Sequence, residues 1–183
     1  MPTILSHPAV PIAVGLGLGS SVVSRRLLAA GVFFSIAPDF DVYAHLVPSG
    51  FVSGISHRGV THSLVFALLC ALFAALIAPR LESARLTAFW FVALATASHG
   101  FLDAFTNGGG GIWFFWPFDK ESYFMAFQPI EVSPLGILPF FSERGLAVMV
   151  SELTWVWPPS IALGFAIYGL RRAVSPSRLR GSY

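Results

Sequence analysis

Apolar runs of unequal length alternate with short polar breaks along the chain, and the breaks carry most of the ionisable side chains. Residues 9–23 form a glycine-rich apolar segment in which Gly15 and Gly19 make a small-xxx-small pair, a pattern that lets helices approach closely in lipid. Arg25-Arg26 mark a turn, and residues 27–37 make a short apolar return that Pro38 ends, because proline disfavours helix at the residue before it. A polar and aromatic loop with Pro48, Gly50 and Gly54 occupies residues 39–56. Two longer apolar spans follow. Residues 60–78 are closed by Pro79-Arg80, and residues 85–105 are broken by Asn107 and four glycines. Residues 112–145 are rich in aromatics and proline and read as a loop at a membrane–water boundary, where Trp and Tyr rings are favoured. A last span over residues 146–170 is expected to bend at Pro158-Pro159 and to stop at Arg171-Arg172.

The longer runs approach the roughly 20 residues that a bilayer core requires, whereas the first two, about 11–15 residues each, read as a partial or re-entrant pair. Composition points the same way: 55% of the 183 residues are hydrophobic and 11% charged, against about 25% charged in a soluble domain. The expected fold is therefore all-α, a polytopic membrane bundle of four to five apolar segments with an aromatic interfacial loop. One integral-membrane domain is expected over residues 1–174, followed by a disordered tail at 175–183. The apolar start lacks a positive n-region, which argues against a signal peptide. A net charge of +2 is too small to indicate nucleic-acid binding. The single cysteine, Cys70, lies in an apolar run and excludes a disulfide framework within the chain.

Threading the segments in order brings His7, Asp39, Asp41, His57, His62, His99 and Asp103 to one end. Eight basic residues (Arg25, Arg26, Arg80, Arg85, Arg171, Arg172, Arg178, Arg180) fall at the other, against Arg58, Lys120 and Arg144. By the positive-inside rule the expected location is a multi-pass protein of the bacterial inner membrane, its polar cluster toward the extracytoplasmic face. Ionisable groups are costly beside so much apolar sequence, so their convergence points to a metal, to catalysis or to an ion path.

His99-x-x-x-Asp103 is the cleanest element, since a spacing of four sets both side chains on one helical face. Asp39-Phe40-Asp41 places two carboxylates just after a helix end, where a divalent cation relieves their repulsion. His57 and His62 join the set if the first lies in the loop and the second in the first helical turn. Imidazole with carboxylate suits zinc, and oxygen-rich sets suit manganese or magnesium. Two histidine pairs and three aspartates exceed one tetrahedral ion, which favours two metals and phosphoryl or ester hydrolysis by a metal-activated water. Asp41 is a candidate general base as well as a ligand. Arg58 is a candidate for holding an anionic substrate oxygen, and Thr61 or Thr106 for bonding a ligand or capping a helix. His45 reads as a loop residue, Asp119, Glu121 and Glu131 as solvated loop charges, and Arg144 as the start of the last span.

Pro38-Asp39-Phe40-Asp41, His57-Arg58-Gly59-Val60-Thr61-His62-Ser63 and Ser98-His99-Gly100-Phe101-Leu102-Asp103-Ala104-Phe105-Thr106 resemble the signature blocks of a bacterial family of membrane-bound metal-dependent hydrolases. One member of that family is described as a LexA-binding, inner-membrane-associated hydrolase. His7 and Trp116-Pro117-Phe118-Asp119-Lys120 with Tyr123-Phe124 also match its pattern, so the resemblance covers residues 5–131. It implies a small inner-membrane protein with a metal centre, and a distant likeness to the all-helical zinc-dependent phospholipase C. The expected partners are membrane lipid and a lipid-like ester or phosphoester substrate. Two other readings use the same residues: an ion or proton transporter, and a membrane interaction protein whose polar cluster is structural.

Overall fold

The computed structural model describes residues 2–44, 58–134 and 137–174; the expectations for His45, His57 and the tail at 175–183 lie outside the described residues. The fold is all-α. Its helices are α1 (Ala9–Leu18), α2 (Arg25–Ile36), α3 (Asp41–Ala44), α4 (Leu64–Leu76), α5 (Arg85–Ala104), α6 (Ile137–Phe140), α7 (Glu143–Trp155) and α8 (Trp157–Val174), with 3-10 turns at Ala37–Phe40 and Val60–His62.

Local chemistry sets the boundaries. Ser24 opens α2 by accepting the Leu27 N–H at 3.0 Å, and Ser63 opens α4 by accepting the Phe66 N–H at 3.1 Å. Pro38 falls inside the 3-10 turn after α2, so the chain leaves the helix there and carries Asp39 inward. α5 is the central helix, packed against α2 on one side and α4 on the other. Its buried face runs from Ala88 through Phe91, Val92, Ala95 and Thr96 to His99 and Asp103. The apolar core lies between these three helices and α1 and includes Val14, Leu27, Cys70, Ala74, Phe91 and Val92. α8 lies along α1, and the two cross where a Cβ on Gly17 would stand 2.6 Å from the Gly164 carbonyl oxygen.

The expected bundle of four to five spans is not what forms. At 1.5 Å per residue, the 10 residues of α1, 12 of α2 and 13 of α4 reach about 15–20 Å, well short of a ~30 Å hydrocarbon core. α5 has 20 residues, but it is interrupted by polar positions and buried along the face that carries the site. Among the described residues, only the continuous stretch Glu143–Val174 is long and apolar enough to cross a membrane. A multi-pass topology is therefore not supported. The assignment of the polar cluster to one membrane face loses its basis too, because the positive-inside rule needs spans to thread.

Two corners do meet at the helix ends remote from the His/Asp motifs: Arg26 pairs with Glu82 at 3.2 Å, and Ser24 donates to the Leu81 carbonyl. The surface is strongly apolar all the same. Leu68, Leu69, Leu72, Phe73 and Leu76 of α4 and Leu146, Leu153, Phe165 and Leu170 of α7 and α8 are exposed. Apolar area on this scale calls for lipid or protein cover.

α7 and α8 are divided just before the prolines at which a bend is expected. The break between α7 and α8 is at Val156, and Pro158-Pro159 occupy the first turn of α8, where their missing N–H groups cost no helix bond. Residues 105–134 form an irregular strap whose exchanges with α5 and with the turn before α4 include Met125 N to Ala104 O, Trp113 N to Arg58 O, and Leu64 N to Phe114 O.

Candidate metal centre

Four side chains from three parts of the chain meet in the interior. Asp39 arrives from the turn after α2, His62 from the turn before α4, and His99 and Asp103 from the last turns of α5; one ligand atom from each lies within 4.8 Å of all the others. The Nε2 atoms of His62 and His99 are 3.1 Å apart. His99 Nε2 is 3.2 Å from Asp39 Oδ1 and 3.8 Å from Asp103 Oδ2; His62 Nε2 is 3.7 Å and 3.4 Å from the same two oxygens. Four ligands at about 2.0–2.1 Å from a tetrahedral zinc lie about 3.4 Å from one another. The observed edges bracket that value.

The orientation of each imidazole is set from behind. His99 Nδ1 is 2.8 Å from the Ser35 carbonyl oxygen, an acceptor only, so Nδ1 donates and the Nε2 lone pair faces inward. His62 Nδ1 is 3.0 Å from Thr61 Oγ1 and 3.5 Å from Asp41 Oδ2, and the Thr61 hydroxyl donates to that same oxygen at 2.8 Å. This carboxylate–histidine arrangement is the one that fixes the tautomer of a metal-ligating histidine. Asp41, a ligand and base candidate in the sequence, therefore stands behind His62 and not among the inward-facing atoms.

His7 completes the inner set from the other side. It is fully buried just before α1, its ring stacked on that of His99 with centroids 3.7 Å apart and planes 17° from parallel. Its Nε2 is 3.7 Å from Asp39 Oδ2 and 3.8 Å from Asp103 Oδ1. Glu152 of α7 holds this segment: its carboxylate accepts from the Thr3 backbone N–H, the Thr3 hydroxyl and the Ser6 hydroxyl. Glu152 is completely buried and was not singled out in the sequence, although a lone acid inside the last apolar run is the same signal that flagged the others.

Arg58 is 2% exposed and its guanidinium is committed: Nη1 donates to the Gly108 carbonyl at 2.8 Å, Nη2 to Thr106 Oγ1 at 3.1 Å, and Nε lies 3.6 Å from Asp103 Oδ2. This places Arg58 as a positioning group for Asp103. The glycine run that breaks the sequence after α5 makes room for it, since a Cβ on Gly109 (φ 97°) would stand 2.4 Å from Arg58 Nη1. Thr106 donates in turn to the Asp103 carbonyl at 2.7 Å. Gly100 serves a similar purpose on α5, where a Cβ would lie 2.9 Å from the His62 carbonyl oxygen. Glu131 and Arg144 pair at 2.6 Å, and Asp119 accepts from the Tyr123 hydroxyl at 2.6 Å.

Electrostatics mark the cluster as short of positive charge. Burial disfavours ionisation of Asp39 and Asp103, yet contacts to His62 and, around it, His99 and His7 hold both carboxyls well below their usual range. Burial also opposes a proton on His62, but Asp103, Asp39 and Asp41 outweigh it and push the imidazole up to about 9. His7 goes the other way, down to about 3, chiefly through burial and the neighbouring His99. Both oxygens of Asp39 and of Asp103, and both ring nitrogens of His7, lack a hydrogen-bond partner while buried. With His62 neutral, as a metal ligand must be, three carboxylates (Asp39, Asp41, Asp103) face one guanidinium, a deficit that one divalent cation matches.

A family model described as YdjM inner membrane protein matches residues 1–174. The chain belongs to this inner-membrane protein family. Among its relatives is the inner membrane protein YbcI of Escherichia coli (strain K12), 39% identical over 173 residues, which cover 94% of this chain and all of that protein. No solved structure matches. Membership supports the expected inner-membrane location, and among the described residues one stretch, Glu143–Val174, is long and apolar enough to cross a membrane. The match runs across the whole described core, so the four residues of the candidate centre lie within the matched region.

Proposed function

We propose that the chain is a metal-dependent hydrolase of the inner membrane, acting on a lipid-like ester or phosphoester. The observation that carries this reading is the meeting of two imidazole lone pairs and two carboxylates, with both ring orientations fixed from outside the cluster. Four electron-rich atoms at such distances repel unless a cation lies between them. A proton on His62 satisfies one edge and leaves the other buried carboxylate oxygens without hydrogen-bond partners.

Asp39, His62, His99 and Asp103 would hold the ion, and two nitrogens with two oxygens favour zinc over magnesium or manganese. The ion would supply Lewis acidity and a water activated at neutral pH. The chain's own residues do the rest. Asp41 and Thr61 keep the proton on Nδ1 of His62, the Ser35 carbonyl does the same for His99, and Arg58 steadies Asp103. Asp39, at 8% exposure, is the ligand nearest the surface, so substrate enters past the turn at Ala37–Phe40.

An apolar groove of about 420 Å³ between α1 and α8 supports the lipid-like part of the substrate. It starts at Ala9, two residues from His7, and is lined by Leu16, Trp157, Phe165 and Tyr168. The test is turnover of a chromogenic phosphodiester and a chromogenic carboxylic ester by zinc-loaded protein in detergent. Hydrolysis of either, abolished by chelation and by His62→Ala, is expected. Fully loaded wild-type protein that turns over neither, and instead passes ions or protons in proteoliposomes, overturns the reading.

A further inference from the structure

His7 presents a problem that the four-residue centre does not solve. It is completely buried, neither ring nitrogen has a hydrogen-bond partner, and Nε2 points at the oxygens of Asp39 and Asp103 that the first ion would leave unused. Those oxygens, Asp39 Oδ2 and Asp103 Oδ1, are themselves without partners. Each carboxylate therefore turns one oxygen toward His62 and His99 and the other toward His7. A purely structural histidine at such a position would donate one N–H and accept with its other nitrogen. His7 does neither.

The ring geometry gives the missing element a place. The His7 and His99 imidazoles are stacked nearly parallel, 3.7 Å apart, and the Nε2 atom of each faces the same two carboxylates. Ligands so arranged direct two lone pairs side by side, at a spacing that matches the about 3.5–4 Å between ions in two-metal hydrolytic sites. We propose a second divalent-cation site on His7 Nε2, Asp39 Oδ2 and Asp103 Oδ1, with Asp39 and Asp103 bridging it to the first. The inference rests on the metal-centre reading above and adds to it both a stoichiometry and a role for His7.

Charge decides the class of ligand that accompanies the second ion. Around the ligand cluster itself, Asp39, Asp41, Asp103 and Arg58 leave a deficit that one divalent ion already meets, so a second ion brings uncompensated positive charge into a buried site. An anion must bind with it. That favours a phosphoester over a neutral carboxylic ester as substrate, because its phosphoryl oxygens can span both ions.

The experiment is manganese titration of metal-free, full-length protein in detergent, read by atomic emission for stoichiometry and by electron paramagnetic resonance for coupling. Two ions per chain, with an exchange-coupled spectrum in the presence of inorganic phosphate, are expected. His7→Ala should retain one ion with an uncoupled spectrum. One ion in the wild type with or without phosphate, or two ions retained in His7→Ala, overturns the second site and leaves the first standing. No bound ion at all overturns both. The wild-type spectrum decides the matter even if His7→Ala fails to fold.

Discussion

Replacing Asp41 by asparagine leaves all four inward-facing ligand atoms in place and removes only a charge from behind them. Asp41 Oδ2 is 3.5 Å from His62 Nδ1 and accepts from Thr61 Oγ1, which itself lies 3.0 Å from that nitrogen. The carboxylate raises the basicity of the imidazole and holds its ring toward Asp39 and Asp103. Asparagine keeps the shape and one acceptor but not the charge. Loss of such an outer partner typically weakens metal affinity by about 10–100-fold, or roughly 1.4–2.7 kcal/mol. Asp39→Asn and Asp103→Asn instead remove a ligand oxygen and should lower affinity well beyond that range. Calorimetric titration of zinc into metal-free protein at fixed pH and salt measures all three. Wild-type affinity in Asp41→Asn would show that Asp41 does not support His62. A loss equal to that of Asp39→Asn would make Asp41 a ligand and refute the arrangement described.

Three further outcomes follow from the same contacts. Glu152→Gln replaces a buried charged acceptor shared by Thr3 and Ser6, so thermal stability should fall by about 2–3 kcal/mol, and binding at His7 should weaken more than binding at His62 and His99; equal loss at both, measured by titration, would contradict its placement beside the His7 segment. Arg58→Met strands Asp103 beside a vanished partner and should cost about 3 kcal/mol without metal, much of it recovered on adding zinc, as thermal melts with and without the ion would show. In metal-free protein His62, faced by Asp39, Asp41, Asp103 and His99, keeps its proton up to about 9 instead of 6.5, so its contribution is complete below pH 6.5 and is lost as pH rises through 9. His7 resists protonation down to about 3, which costs stability as pH falls from 6.5 toward 3. Melting temperature without metal should therefore peak near pH 6.5, and a steady rise from pH 7 to 9 would count against the His62 environment.

The order of segments was enough to bring the ligands together, and it remained enough when α1, α2 and α4 proved too short to span. A chain that reverses at Arg25-Arg26 and again near Arg80 returns His7, Asp39, His62 and His99 to the same end whatever the length of each helix. Length was the harder quantity. α1 and α4 read as apolar runs, but a run gives no sign of whether its helix is fraying into a turn, and α5 is central because of what packs on both its sides. The i,i+4 pair of His99 and Asp103 was legible because the spacing itself carries the geometry. Arg58 was not, since its type suits an anion clamp, and only the fold shows Gly108, Thr106 and Asp103 already occupying it. Asp41 was ambiguous for a related reason: two carboxylates two residues apart look equivalent until the turn at Ala37–Phe40 sends one inward and the other behind His62. Glu152 is legible by the same rule as the other buried ionisable groups, as a single acid within residues 146–170.

Whether Asp39, His62, His99 and Asp103 bind a metal together is decided by metal analysis of the purified protein. Wild-type protein freed of loosely bound ions should retain at least one equivalent of a divalent metal, zinc foremost, and His62→Ala and Asp103→Asn should lose it while staying folded by circular dichroism. Wild-type protein that carries no metal, and whose melting temperature does not move when zinc is added, would rule out a metal-binding role for these four residues.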